Sequence, residues 1–153
     1  MSESCETIKS CETINNYLEC CLFFTSNTMS RLINKMTEDA FMSTGLAPSY
    51  AFLMMVVIEK ESIGIGELAN VLKLAPSTVT RFVDKLILKN YLKREQVGRN
   101  MTITATSKGK ALLPSIKESW KRLFNTYCDI LGEEFAIELT SNMAKANKFL
   151  ENK

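Results

Sequence analysis

The stretch Gly66-Glu67-Leu68-Ala69-Asn70-Val71-Leu72, Lys73-Leu74-Ala75, Pro76-Ser77-Thr78-Val79-Thr80-Arg81-Phe82-Val83-Asp84-Lys85-Leu86 decides the fold. Its first part sets Leu68, Val71 and Leu72 at i, i+3, i+4, with Ala69 small enough to let another helix approach. A helix this short cannot stand alone and must pack on its neighbours. Lys73-Leu74-Ala75 is a tight break. Pro76 then suits a first helical position, where its fixed φ fits the helix and its missing N–H is not needed. A second helix is therefore expected to open at Pro76. Val79, Phe82, Val83 and Leu86 form one apolar stripe along it, leaving Ser77, Thr78, Thr80, Arg81, Asp84 and Lys85 on the other side.

Downstream, Asn90 is a plausible helix stop, and Leu92-Lys93-Arg94-Glu95-Gln96 leads through Val97-Gly98-Arg99-Asn100 to Met101-Thr102-Ile103-Thr104-Ala105. The last segment alternates apolar and polar with period two, and Gly98 with Asn100 supplies turn chemistry, so a β-hairpin with Arg99 at its tip is expected. Short helix, break, second helix and basic hairpin, in that order, make a winged helix-turn-helix, whose dominant use is to lay the second helix in the major groove of DNA.

On such a helix, Pro76 at the start and the small hydroxyls of Ser77, Thr78 and Thr80 allow close approach, and Arg81 one turn on can fork onto guanine O6 and N7. The alternative for Arg81 is an ordinary surface pair with Asp84 at i+3. Arg81 and Lys85 are like charges at i, i+4, an unfavourable arrangement that a line of phosphates relieves. Arg94 and Arg99 extend the basic surface onto the hairpin. An arginine on a projecting tip suits a narrow minor groove, where the negative potential is strongest; the alternative is a solvated loop tip that is basic by chance.

The charge distribution agrees. Net charge is only +2, but residues 73–108 carry eight Lys/Arg against two acids, Asp84 and Glu95, leaving eleven basic and fifteen acidic residues elsewhere. Positive charge concentrates where the groove-reading element lies.

The runs Glu67-Leu68-Ala69, Pro76 to Leu86, and Thr106-Ser107-Lys108-Gly109-Lys110-Ala111-Leu112-Leu113 together resemble the MarR family of bacterial transcription regulators, and the likeness extends across most of the chain. Two departures stand out. Ala75 occupies a position often serine in that family and forgoes an N-cap worth ~1 kcal/mol. Val97-Gly98-Arg99 replaces the family's Asp-Arg-Arg wing tip, so the tip arginine is kept without its bracing aspartate and the hairpin is about three residues shorter.

The flanking segments are read as helices that hold two reading heads together. Ile14, Leu18, Cys21/Leu22, Thr25, Met29, Leu32 and Met36 step by threes and fours, predicting one long amphipathic helix that ends before Gly45. Ile116, Trp120, Leu123, Tyr127 and Ile130 repeat the pattern, as do Phe135, Leu139, Met143, Ala146 and Leu150 beyond Gly132. The resemblance implies that such terminal helices interlock in a homodimer; packing onto their own chain is the alternative. Tyr50 to Ile58 is apolar all round, opened by Pro48 and closed by Glu59-Lys60-Glu61, and reads as a buried helix rather than a membrane span, being nine residues long. Domain organisation follows: an arm and dimerisation helix over 1–46, the winged helix-turn-helix over 47–106, and C-terminal dimerisation helices over 107–153.

Ser4-Cys5-Glu6-Thr7-Ile8 and Ser10-Cys11-Glu12-Thr13-Ile14 form a short repeat whose six-residue step matches no helical face, and it is read as a partly disordered arm or frayed helix start. Histidine is absent and no C-x-x-C spacing occurs among the five cysteines, so neither a metal site nor a cofactor is expected. Within the MarR resemblance, Asn16-Tyr17-Leu18-Glu19-Cys20 is similar to the region of a peroxide-sensing branch, making Cys20 and Cys21 redox candidates. The match is displaced by one residue, no Lys or Arg lies within a turn of Cys20, and small buried hydrophobes on a dimerising helix is the preferred reading. No nucleophile has a base beside it and no Gly-rich phosphate loop is present, which argues against an enzyme.

The expectation is thus a mainly α chain with a small β-hairpin wing: a cytoplasmic, homodimeric regulator that binds double-stranded DNA at a pseudo-palindromic operator. Family resemblance adds a ligand-responsive repressor and a possible small aromatic effector in a crevice. Phe41, Phe52, Met54 and Met55 are candidates to line it, though they read equally as core. A winged-helix protein-interaction module is the competing class.

Overall fold

The computed structural model describes residues 14–152, and the amino-terminal repeat with Cys5 and Cys11 lies outside them. The chain falls into two units, Met1–Thr37 and Glu38–Lys153.

In the first unit the expected single helix is broken. Helix α1 spans Ile14–Glu19 and α2 spans Leu22–Phe41, separated at Cys20-Cys21. The Thr25 backbone N–H and its Oγ1 both donate to Cys21 O at 2.9 Å, while Ser26 Oγ and Asn27 Nδ2 both donate to Phe23 O. This run of Thr, Ser and Asn bonds its side chains to the preceding turn, a habit that weakens and bends helices, and the break falls just before it. The apolar residues of the segment are largely uncovered: Ile14, Tyr17, Leu22, Phe23 and Leu32 are exposed.

The second unit begins with the end of α2. A 3-10 turn, Met42–Thr44, and Gly45 at φ +66° stop the helix where expected. Buried Thr44 locks the turn, its Oγ1 donating to Phe41 O at 2.7 Å and accepting from Leu46 N at 3.1 Å. Helix α3, Pro48–Lys60, is the central helix, burying Ala51, Leu53, Met54 and Val57 against the helices and hairpin that follow.

Helix α4 spans Ile65–Leu72. Its inward stripe is Ile65, Leu68, Ala69 and Leu72, whereas Val71, expected inside, is 47% exposed. The helix begins one residue earlier than Gly66, so Ile65 supplies the first contact of an i, i+3, i+4, i+7 face that Val71 does not share. Lys73 adopts a left-handed conformation, its N–H capping α4 on Ala69 O and Asn70 O, and the chain turns into α5, Pro76–Leu88. Val79, Val83 and Leu86 are buried and Phe82 half-buried, as the spacing requires, and the Phe82 ring packs at a tilt on Tyr50, centroids 4.8 Å apart. Ala75 makes no side-chain cap. Asn90, at φ +59°, ends the turn after the helix; asparagine tolerates this region better than most residues.

Strands β1 (Leu92–Val97) and β2 (Asn100–Ala105) form the antiparallel hairpin, with Leu92 opposite Ala105 and Val97 opposite Asn100. Gly98 alone of the two turn residues has positive φ, the requirement of a turn with glycine at its first central position. Ile63 adds a short rung, exchanging two backbone bonds with Ile103 at 3.1 and 2.8 Å.

Helix α6 (Ser107–Lys110) leads to α7 (Leu113–Leu131) and, past Gly132 at φ +84°, to α8 (Glu133–Glu151). Helix α7 buries Ile116, Ser119 and Leu123, but Trp120 and Ile130, expected on the same stripe, are 50% and 63% exposed. On α8 only Ala136 is buried; Phe135, Met143 and Leu150 are exposed. These helices carry more apolar surface than their own chain covers.

Candidate DNA-binding surface

Helix α5 presents the expected polar face. Pro76 opens the helix and Ser77 and Arg81 are exposed, with Thr78 and Thr80 half-buried. Thr80 Oγ1 donates to Pro76 O at 2.9 Å. Its proton is therefore used within the helix, leaving the oxygen to accept and the methyl to make apolar contact. Asp84 does not pair with Arg81. It binds Arg94 of β1, Nη2 to Oδ1 at 2.5 Å, and Arg81 is without an ion pair among the described residues. Arg81 is thus left unneutralised on the helix, while the Asp84–Arg94 pair links the wing to it.

Lys85 is exposed and lies 6.0 Å from the Tyr50 ring centroid. Arg99 is exposed at the hairpin tip, nine residues beyond Asn90, and has no ion-pair partner among the described residues. On β1, Lys93 pairs with Glu95, an interaction that holds the Glu95 carboxyl below its ordinary range.

Sequence reading missed the clamp that fixes the end of α5. Thr106 Oγ1 donates to Asn90 O at 2.7 Å and accepts from Gly109 N at 3.0 Å, its own N–H donates to Tyr91 O, and Lys108 Nζ donates to Lys89 O at 3.1 Å. Lys108 also lies 4.9 Å from the Tyr91 ring centroid and places positive charge at the negative end of the helix. Gly109 is required because a Cβ there would stand 2.1 Å from Tyr91 O. The Thr-x-x-Gly spacing was visible; the clamp's partners, fifteen to nineteen residues upstream, were not.

Among the proposed effector-crevice residues, Phe41 and Met54 are fully buried and Phe52 and Met55 half-buried, with the Phe41 and Phe52 rings 5.3 Å apart. They are core packing here. Cys20 is exposed and Cys21 half-buried in the single chain, at the break between α1 and α2. At Cys128, on α7, burial and the nearby Glu133 and Asp129 carboxylates push the thiol up, away from a reactive thiolate. No single helix among the described residues is long and apolar enough to cross a membrane.

A short helix, a left-handed turn, a polar-faced second helix and a braced hairpin define a winged helix-turn-helix DNA-binding regulator. A sequence profile of the MarR family matches residues 48–100. The HTH-type transcriptional regulator SarZ of Staphylococcus epidermidis is 31% identical over 126 residues, 78% of this chain and 82% of that protein. Two solved structures share the fold at low identity. AbsC, a MarR family transcriptional regulator from Streptomyces coelicolor, is 16% identical and covers 92% of this chain and 97% of its own, with a TM-score of 0.75. CouR from Rhodococcus jostii RHA1, bound to p-coumaroyl-CoA, is 20% identical and covers 82% and 91%, with a TM-score of 0.70. The chain belongs to the MarR family of transcriptional regulators.

Proposed function

We propose that this regulator acts as a homodimer, residues 1–46 and 107–153 supplying the dimerisation helices and 47–106 the reading head, on a pseudo-palindromic operator in the cytoplasm. Arg81 is the base reader, Pro76, Ser77, Thr78 and Thr80 give close approach at the start of α5, Lys85 and Arg99 grip phosphates or the minor groove, and Arg94, engaged by Asp84, braces the wing rather than meeting a phosphate directly. The observation that carries this is the pairing of Asp84 with Arg94, which leaves Arg81 unneutralised on the outer face of α5. Repression relieved by a small aromatic effector is the mode proposed, in line with CouR, a structural neighbour that holds p-coumaroyl-CoA. No catalysis is proposed, since no nucleophile in the sequence has a base signature around it.

The test is to sequence the fragments that purified protein selects from its own genome at two salt concentrations. Salt-sensitive selection of a sequence with two-fold symmetry is expected. Absent or salt-insensitive binding would favour a winged-helix module that binds protein instead.

A further inference from the structure

Beyond the groove-reading face, a cavity of about 340 Å³ lies between the start of α3 and the C-terminal half of α5, lined by Leu46, Ala47, Tyr50, Lys85, Leu86 and Lys89. Two of its six lining residues are cations, and neither has an ion-pair partner among the described residues. Arg81, Lys85 and Lys89 step by four along α5 and onto its C-cap, and none of the three has an ion-pair partner among the described residues. That spacing is unfavourable in isolation and becomes favourable when an anion lies alongside. Asp84, the one acid on this helix, is turned away to Arg94. Tyr50, packed at a tilt on Phe82 and 6.0 Å from Lys85 Nζ, lines the same cavity and is its one hydroxyl-bearing side chain. Leu46, Ala47 and Leu86 make the rest of the wall apolar, which strengthens any charge pairing formed inside.

We propose that this cavity is an oxyanion seat for a phosphate group, held by Lys85, Lys89 and the Tyr50 hydroxyl. Its position on the reading helix, one turn beyond Arg81 and continuing the same cationic line, makes a backbone phosphate of the operator the favoured source; a phosphorylated small molecule presents the same chemistry. The DNA assignment rests on the DNA-binding reading above, whereas the seat itself does not.

Lys89→Gln and Tyr50→Phe are the informative variants, because Lys89 is exposed and the phenylalanine retains the ring that packs on Phe82. Binding to cognate and scrambled duplexes is measured across a salt series, and inorganic phosphate is titrated into DNA-free protein at constant ionic strength with the Tyr50 region followed by NMR. For a backbone phosphate, Lys89→Gln lowers the slope of log K against log salt by about 0.9 and weakens both duplexes alike. The wild-type advantage then shrinks roughly three- to fourfold between about 50 and 200 mM salt. An unchanged slope, with phosphate binding seen in wild type and lost in both variants, supports the seat and assigns it to a free phosphate compound. Unchanged slopes with no phosphate binding overturn the proposal. If wild-type protein binds no DNA at all, the function proposed above fails, and the phosphate titration alone decides the seat.

Discussion

Arg81 and Arg99 carry the same charge, and the proposed function gives them different tasks. Arg81 stands one turn into α5 with no acid on its guanidinium, so a bidentate contact to guanine is open to it. Arg81→Ala is expected to cost ~1 to 3 kcal/mol per half-site and to relax preference at one base position. Arg99 sits in a two-residue turn and has no ion-pair partner among the described residues, so Arg99→Ala should weaken cognate and scrambled DNA similarly and flatten the salt slope. Measuring both variants on both duplexes checks the assignment; equal losses for Arg81→Ala, or specificity lost only with Arg99→Ala, would reverse the roles. The polar face of α5 was legible from spacing alone. The destination of Asp84 was not, because its partner, Arg94, is ten residues away and only the hairpin's fold brings it near.

At the scale of elements, helix spans followed periodicity closely where one face is buried. Pro76 opened α5, Asn90 followed its end, and the hairpin register fell out of alternation plus a glycine-led turn. Periodicity failed where side chains compete with the backbone, as at the α1/α2 break before Thr25-Ser26-Asn27, and where the start of α4 moved by one residue and put Val71 outside. The Thr106 to Gly109 clamp gives a direct test of element packing. A Cβ at 109 would collide with Tyr91 backbone oxygen and Met54 Cε, so Gly109→Ala should lower stability by about 1 to 3 kcal/mol in chemical denaturation. Ser107→Ala, on the exposed side of the same turn, should fall within about 0.5 kcal/mol of wild type.

For the whole molecule the dominant fact is apolar surface without cover. Trp120, Ile130, Phe135, Met143 and Leu150 are all exposed on the C-terminal helices, as are Leu22, Phe23 and Leu32 on α2. Burying such side chains is worth roughly 1.5 to 3 kcal/mol each when complete, which is ample to drive association of two copies. Sedimentation at micromolar concentration should therefore show a dimer, and a folded monomer would rule it out. Removing residues from Phe135 onward should abolish dimerisation and operator binding together; loss of DNA binding alone would give α8 a different job. Operator half-sites should lie about one helical turn apart, since their spacing mirrors protein symmetry, and footprinting of the selected fragments measures it.

By itself the sequence determined the winged helix-turn-helix, the polar face of its second helix and its cationic segment, because each depends on residues within a turn or a hairpin of one another. Tertiary structure decided which charges are spent internally. It turned Asp84 to Arg94, tied Lys108 to the end of α5, and left Lys85 and Lys89 on one cavity wall without an ion-pair partner among the described residues. It also decided which apolar stripes are core and which are surface, since a stripe's periodicity is the same whether its cover comes from its own chain or from another. Local chemistry is written in spacing, but pairing and burial depend on what folding brings alongside.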